Sequence, residues 1–346
     1  MSRIAVTALT IAVLAVPASA ASFDCSKAST PFERAICENP ELSRADETLA
    51  KSFATATGGL TTQATDALRA DQRSWLDFAQ RACSDDAQPL TTGSYDEEGV
   101  SCLRTLFENR GKVLEGSRML GGKRFYPTSN YAVLPDPEAA GDPDSFWKVA
   151  THSLALPLLD SDDPLAAGFN EFVVAQANEL TPLRTLVDEG EAEALETSSD
   201  SDVAITVQEV TPSRISLDVS TFWYGHGAAH GNWATTYLHY YVPENRALEA
   251  SDLFTGEGWR GKLLDLVWQQ LQQEHGENLQ LEGPQDLAEV VIDPSRWSFE
   301  NDRGLTMQFE PYEVAAYAYG APTVTIGWDK LEDLLGPNAN AVRYGS

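Results

Sequence analysis

All four cysteines of this chain, Cys25, Cys37, Cys83 and Cys102, fall in its first third, and the remaining two thirds has none. In an oxidising compartment that distribution describes a small stapled module followed by a domain large enough to stand on its hydrophobic core alone. Four cysteines permit three pairings. The set Cys25–Cys37 with Cys83–Cys102 is favoured because its partners are close in the chain, and the other two stay open. The N terminus agrees with export. Arg3 precedes an apolar run from Ile4 to Val16, and Ala18-Ser19-Ala20 supplies small residues for cleavage, so residues 1–21 read as a signal peptide. That run is too short to span a bilayer, and no later stretch approaches the ~20 apolar residues a membrane helix needs. The expected location is therefore periplasmic or secreted, with no membrane span once the signal is cut.

About 325 mature residues exceed what one core usually holds, so two domains are expected, 22–120 and 121–346. Charge is as uneven as the cysteines. Residues 22–120 hold 11 Lys+Arg against 16 Asp+Glu, and residues 121–346 hold 12 against 36. The acidity belongs to the second domain, whose field repels nucleic acid and anionic lipid and speeds encounters with basic proteins.

The first domain reads as helices. Thr30-Pro31-Phe32-Glu33 is a capping box with Pro at the first helical position, starting a helix that ends near Cys37. Asn39-Pro40 opens a second, with Leu42, Ala45, Leu49 and Phe53 at helical spacing, ended by Gly58-Gly59. A third carries Leu68, Trp75, Phe78 and Ala82, with Asp71, Arg73 and Asp77 expected on its wet side. A last helix bears Val100, Leu103, Phe107 and Leu114. Gly116 to Gly122 reads as a linker.

Beyond it, Leu154, Leu156 and Leu158 mark a first apolar stretch and Asp163-Pro164 starts a helix with Phe169, Phe172 and Val173. An acidic loop is expected over 188–202. Two runs of period two follow, Val203-Ile205-Val207 and Ile215-Leu217-Val219, then a strand over Thr235–Val242. Trp259 to Glu274 is helical, and a hairpin turns at Asn301 to Gly304. Strands and helices in separate runs make the fold class α+β: a small disulfide-stapled helical domain, then a larger α+β domain with a mainly antiparallel sheet.

The residues Asp24-Cys25-Ser26-Lys27-Ala28, Thr30 to Cys37, Pro40-Glu41-Leu42-Ser43 with Asp46, Gln72-Arg73-Ser74-Trp75-Leu76, and Ser101-Cys102-Leu103 share one joint spacing of cysteine and tryptophan. In them the first domain resembles the LprI-type lysozyme-inhibitor domain over residues 23–115. The second domain carries Gly227-Ala228-Ala229-His230-Gly231-Asn232, Leu253-Phe254, and Phe309 to Ala318 with Gly320-Ala321-Pro322. Here it resembles the extracellular domain of RsiV-like anti-sigma factors, over 123–346. The resemblance implies lysozyme or another basic envelope protein as partner. The alternative is a cell-wall-associated module that binds peptidoglycan or another envelope protein.

The glycine-rich run Tyr224 to Asn232 should be a tight loop between strands, because glycine admits positive φ and close approach. One reading makes His226, His230 and His239 ligands of a metal, as in a zinc hydrolase. Glycine denies the segment the helix that such spacing needs, and no Glu stands where a zincin keeps its base. The bland reading has His230 bonded within its loop. The reading taken forward is a recognition surface of Trp223, Tyr224, His226, His230, Asn232 and Trp233, joined by Tyr312, Tyr317 and Tyr319 of a second segment expected to form a short helix. No nucleophile elbow, phosphate loop or dinucleotide fingerprint occurs, and paired cysteines leave no thiol nucleophile. The expected protein is thus a binding protein, not an enzyme, with no cofactor or metal.

Overall fold

The computed structural model describes residues 21–138 and 145–345; the signal-peptide reading falls outside them but for Ala21. Four helices open the fold: α1 (Pro31–Glu38), α2 (Pro40–Thr57), α3 (Thr62–Ala82) and α4 (Glu97–Leu114). Thr30 caps α1 as its sequence announces. Its hydroxyl accepts from the Glu33 amide, and the Glu33 carboxylate accepts from the Thr30 and Ser29 amides, which holds that carboxyl down at about 2. Disulfides join Cys25 to Cys37 and Cys83 to Cys102, each with Cα atoms 5.7 Å apart. Leu42, Leu68, Trp75, Leu103 and Phe107 fill the space between the helices.

A seven-stranded sheet follows in sequence order: β1 (Met119–Leu120), β2 (Lys123–Pro135), β3 (Val149–Leu159), β4 (Ser199–Val210), β5 (Arg214–Gly225), β6 (Asn232–Tyr241) and β7 (Arg246–Ala247). Every pair is antiparallel except β3 with β4, which run parallel for the four positions His152↔Ser201 to Ala155↔Ala204. A parallel pair needs a long crossover. Here α5 (Pro164–Leu180) and α6 (Leu183–Glu189) supply it, and α5 lays Ala166, Phe169, Val173 and Ala177 on the sheet. The acidic stretch read as a loop over 188–202 is therefore shorter: α6 takes its first residues, and Asp200 and Asp202 already lie in β4.

A second core belongs to the C-terminal part. It gathers α7 (Ala250–Leu253) and α8 (Trp259–His275) with a three-stranded antiparallel sheet of β8 (Trp297–Ser298), β9 (Gly304–Gln308) and β10 (Thr323–Gly327). His239 of β6 bridges toward it. The Trp297 carbonyl can only accept, so His239 Nε2 carries the hydrogen at 2.8 Å, and Nδ1 accepts from Ser216 Oγ at 2.9 Å. Burial, reinforced by the Arg214 guanidinium, depresses this imidazole to about 3.

Asp71 corrects the reading of α3. It is buried, and its carboxylate meets the Arg110 guanidinium of α4 at 2.5 Å. Its other oxygen accepts from the Ser129 amide of β2 at 3.0 Å, while Arg110 also reaches Tyr131 at 3.1 Å. Two charges tolerate burial when each is paired and hydrogen-bonded. The pair seats the helices on the sheet, where Val133 of β2 joins the helical core. The segment read as a linker turns at Gly121 and Gly122 between β1 and β2.

Candidate binding cleft

At one end of the sheet the β5–β6 hairpin sets Phe222 opposite Trp233 and Trp223 opposite Asn232, while β4 pairs with the other edge of β5 as far as Gly225. Phe222, Trp223 and Trp233 stay 43%, 41% and 39% exposed. The glycine-rich loop closes this hairpin. Gly227 sits at φ +78°, and a Cβ on Gly231 would lie 2.6 Å from the Phe222 ring and 3.0 Å from the Trp223 carbonyl, so only glycine lets the ring pass.

The segment Glu310–Tyr319 comes against this hairpin from far along the chain. The sequence suggested a short helix; instead Glu310 to Glu313 form a tight turn, the Glu313 amide donating to the Glu310 carbonyl, and only Tyr317–Tyr319 make a single 3₁₀ turn. Pro311 takes the second place of the turn. Tyr312 takes the third, at φ +70°, which glycine normally occupies. A bulky residue there costs about 1–2 kcal/mol. Arg296 holds the turn, donating to both Glu313 oxygens at 3.0 Å and pairing with Glu310 at 3.1 Å. The outcome is a tyrosine held outward, 59% exposed. Tyr317 anchors the rest. Its hydroxyl donates to the Gly231 carbonyl at 2.6 Å, and its ring stacks on His230 with centroids 4.0 Å apart.

Between hairpin and turn opens a cleft of about 610 Å³. Ser201, Val203, Thr221 and Ala234 form its floor, and Pro182, Leu186 and Leu195 a third wall. Glu196 stands on that wall. Its carboxylate accepts from Ser199 Oγ at 2.7 Å and from Trp223 Nε1 at 3.3 Å, and these bonds hold it below the usual carboxylate range. His152 lies beneath, donating from Nε2 to the Glu196 carbonyl at 2.7 Å and accepting at Nδ1 from Ser201 Oγ at 2.8 Å. No lysine or arginine lines the cleft among the described residues.

Of the nine side chains picked from the sequence, Trp223, Asn232, Trp233, Tyr312 and Tyr317 line this one cleft and His230 stands at its rim. Three go elsewhere. His226 is buried beneath Trp147 and bonded to Asp136. Tyr224 turns its hydroxyl back to the Ala228 carbonyl, and Tyr319 bonds His275 at 2.8 Å. His226, His230 and His239 point to three different surroundings, and no cluster of three or more His, Cys, Asp or Glu is arranged to hold a metal among the described residues. Sequence reading missed Phe222, His152, Glu196 and Glu310. Phe222 was recoverable, since it continues the aromatic pair Trp223-Tyr224; the other three carry no local signal.

Comparisons with known proteins place names on the two parts. Residues 25–114 match the family model described as lysozyme inhibitor LprI, and residues 251–329 match DUF3298, a protein family of unknown function. No curated protein matches. Two solved structures are similar: a DUF3298 family member from Bacteroides fragilis at 20% identity and TM-score 0.46, covering 64% of this chain and 96% of its own, and one from Pseudomonas aeruginosa at 15% and 0.44, covering 65% and 98%. No helix among the described residues is long and apolar enough to cross a membrane. The chain thus carries an LprI-type lysozyme-inhibitor domain at 25–114, followed in the same polypeptide by a DUF3298 segment at 251–329.

Proposed function

We propose that this protein is exported, binds lysozyme-type muramidases outside the cytoplasm and blocks them. The observation that carries the reading is the LprI match over residues 25–114, on a helical frame that holds both disulfides. Charge supports it. A chain of net −28 steers basic proteins toward itself, and many lysozymes are basic. The stapled frame suits an oxidising compartment. An inhibitor needs no reacting centre of its own, only a rigid surface that fills or covers the cleft in which a muramidase keeps its two carboxyl groups.

The test is a calorimetric titration of the mature protein with a hen-type lysozyme at low and moderate salt, with a cell-wall lysis assay on the same mixtures. Saturable binding that weakens with salt, together with slowed lysis, is the expected result. Absence of heat and undiminished lysis at micromolar protein would remove lysozyme as the partner.

A further inference from the structure

The cleft differs from an ordinary surface groove in how its rings are held. Trp223 is tethered through its indole N–H to Glu196, Tyr317 through its hydroxyl to Gly231, and Tyr312 through the Arg296 clamp on its turn. Trp223 and Tyr317 are fixed by polar handles of their own and Tyr312 by the hold on its backbone, while Trp223 and Tyr312 keep much of their surface open to water. Tyr312 is also held in a backbone conformation that its side chain disfavours. Strain of this kind persists only where surrounding structure over-determines it, and it concentrates at binding sites.

Electrostatics select the ligand. The charged groups at the cleft wall are Glu196, whose partners are neutral donors, and Glu310, which shares Arg296 with Glu313. Glu196 is therefore a negative charge with no lysine or arginine against it, and the Arg296 group leaves a second one. An anion is repelled. A neutral sugar could use Asn232 and Thr221 for its hydroxyls, yet it would leave the Glu196 charge unmatched. A cation gains from both features: the faces of Trp and Tyr attract it, and a carboxylate beside them completes the pair.

We infer that this cleft is a receptor for an arginine side chain on a basic partner protein, its guanidinium lying on the aromatic wall and donating to Glu196. A guanidinium suits the place better than an ammonium. It is flat enough to stack on a ring, offers several donors in one plane and is less strongly hydrated. The inference rests on the proposed function only for identifying that partner as a muramidase.

The probe is N-acetylarginine amide, set against N-acetylcitrulline amide, which has nearly the same shape without the charge, and against chitotriose. Binding is followed at the Trp223 indole resonance of the ¹⁵N-labelled mature protein, assigned with Trp223→Phe. The arginine compound should move that resonance with a Kd of about 1–10 mM, and citrulline should bind at least about 10-fold more weakly. Glu196→Gln should weaken arginine about 5- to 10-fold, while Glu277→Gln, an equal loss of charge outside the cleft, leaves it unchanged. Equal binding of citrulline overturns the inference. So does an equal loss in both glutamine variants, a response to chitotriose alone, or no response to arginine at about 50 mM. The two claims fail separately. Lysozyme binding untouched by Glu196→Gln sinks the arginine receptor and spares the proposed function; an arginine response at Trp223 without lysozyme binding does the reverse.

Discussion

In the helical module the chain spends its residues on being held. Thr30, Thr61 and Asp96 cap three of its helices with their side chains, two disulfides close its ends, and the buried Asp71–Arg110 pair fastens it to the sheet. The cleft is built in the opposite sense: its aromatic rings stay in water, one of them in a left-handed backbone conformation, and its wall bears a carboxylate with no cation beside it. A small helical unit buries too little apolar surface to be secure without staples. The cleft sits above two large cores, which can carry a local cost of a kilocalorie or so. If the cleft is the arginine receptor inferred above, its recognition is built apart from the staples that stabilise the helical module, and substitutions in the two regions should do different things.

The largest expected effect lies in the module. Replacing Cys83 and Cys102 together by Ala should cost about 3 kcal/mol, because the bond closes a loop of 19 residues that the unfolded chain would otherwise leave open. Thermal melting by circular dichroism measures it, and a change below about 0.5 kcal/mol would mean that the staple is not what secures the helices.

The second prediction tests the support of the sheet that carries the cleft, where β6 meets the C-terminal core. His239 is depressed to about 3 when folded, against about 6.5 when unfolded. The unfolded chain therefore takes up a proton first, so the stabilisation is complete above about pH 7 and is lost as pH falls, by about 2 kcal/mol at pH 5. Asp218 works against it. Burial, aided by Glu300, pushes that carboxyl up to about 6, which favours the fold as pH falls toward 4. Urea unfolding of wild type and His239→Gln at pH 7 and 5 separates the two; an identical pH slope in the variant would contradict the assignment.

The smallest effect has the opposite sign. Tyr312→Gly should raise stability by up to about 1 kcal/mol, since glycine adopts φ +70° without strain, while weakening partner binding through loss of the ring. A variant that is less stable, or equally stable and fully able to bind, would erase the contrast between the two regions.

What the sequence disclosed follows the range of the interactions. The capping box at Thr30 and the alternation of Val203, Ile205 and Val207 are local, and each element stands where its pattern put it. The burial of Asp71 was hidden because its partner Arg110 lies on another helix, 39 residues away. The turn at Tyr312 was hidden for a different reason. Its third position carries tyrosine where the rule expects glycine, so the segment passed for a helix. Glu196 and His152 carry no pattern at all; they meet only because β3 and β4 run parallel in a register that sets His152 beside Ser201. Trp223, Trp233 and His230 were legible as unusual residues, but their union with Tyr312 and Tyr317, some eighty positions on, exists only in the folded chain.

Hydrogen exchange across the whole mature protein, with and without a hen-type lysozyme, tests most directly whether the strained aromatic cleft meets the partner. The account predicts slower exchange on lysozyme addition in residues 222–233 and 310–317. Unchanged exchange in both segments, with lysozyme present in excess, would contradict it.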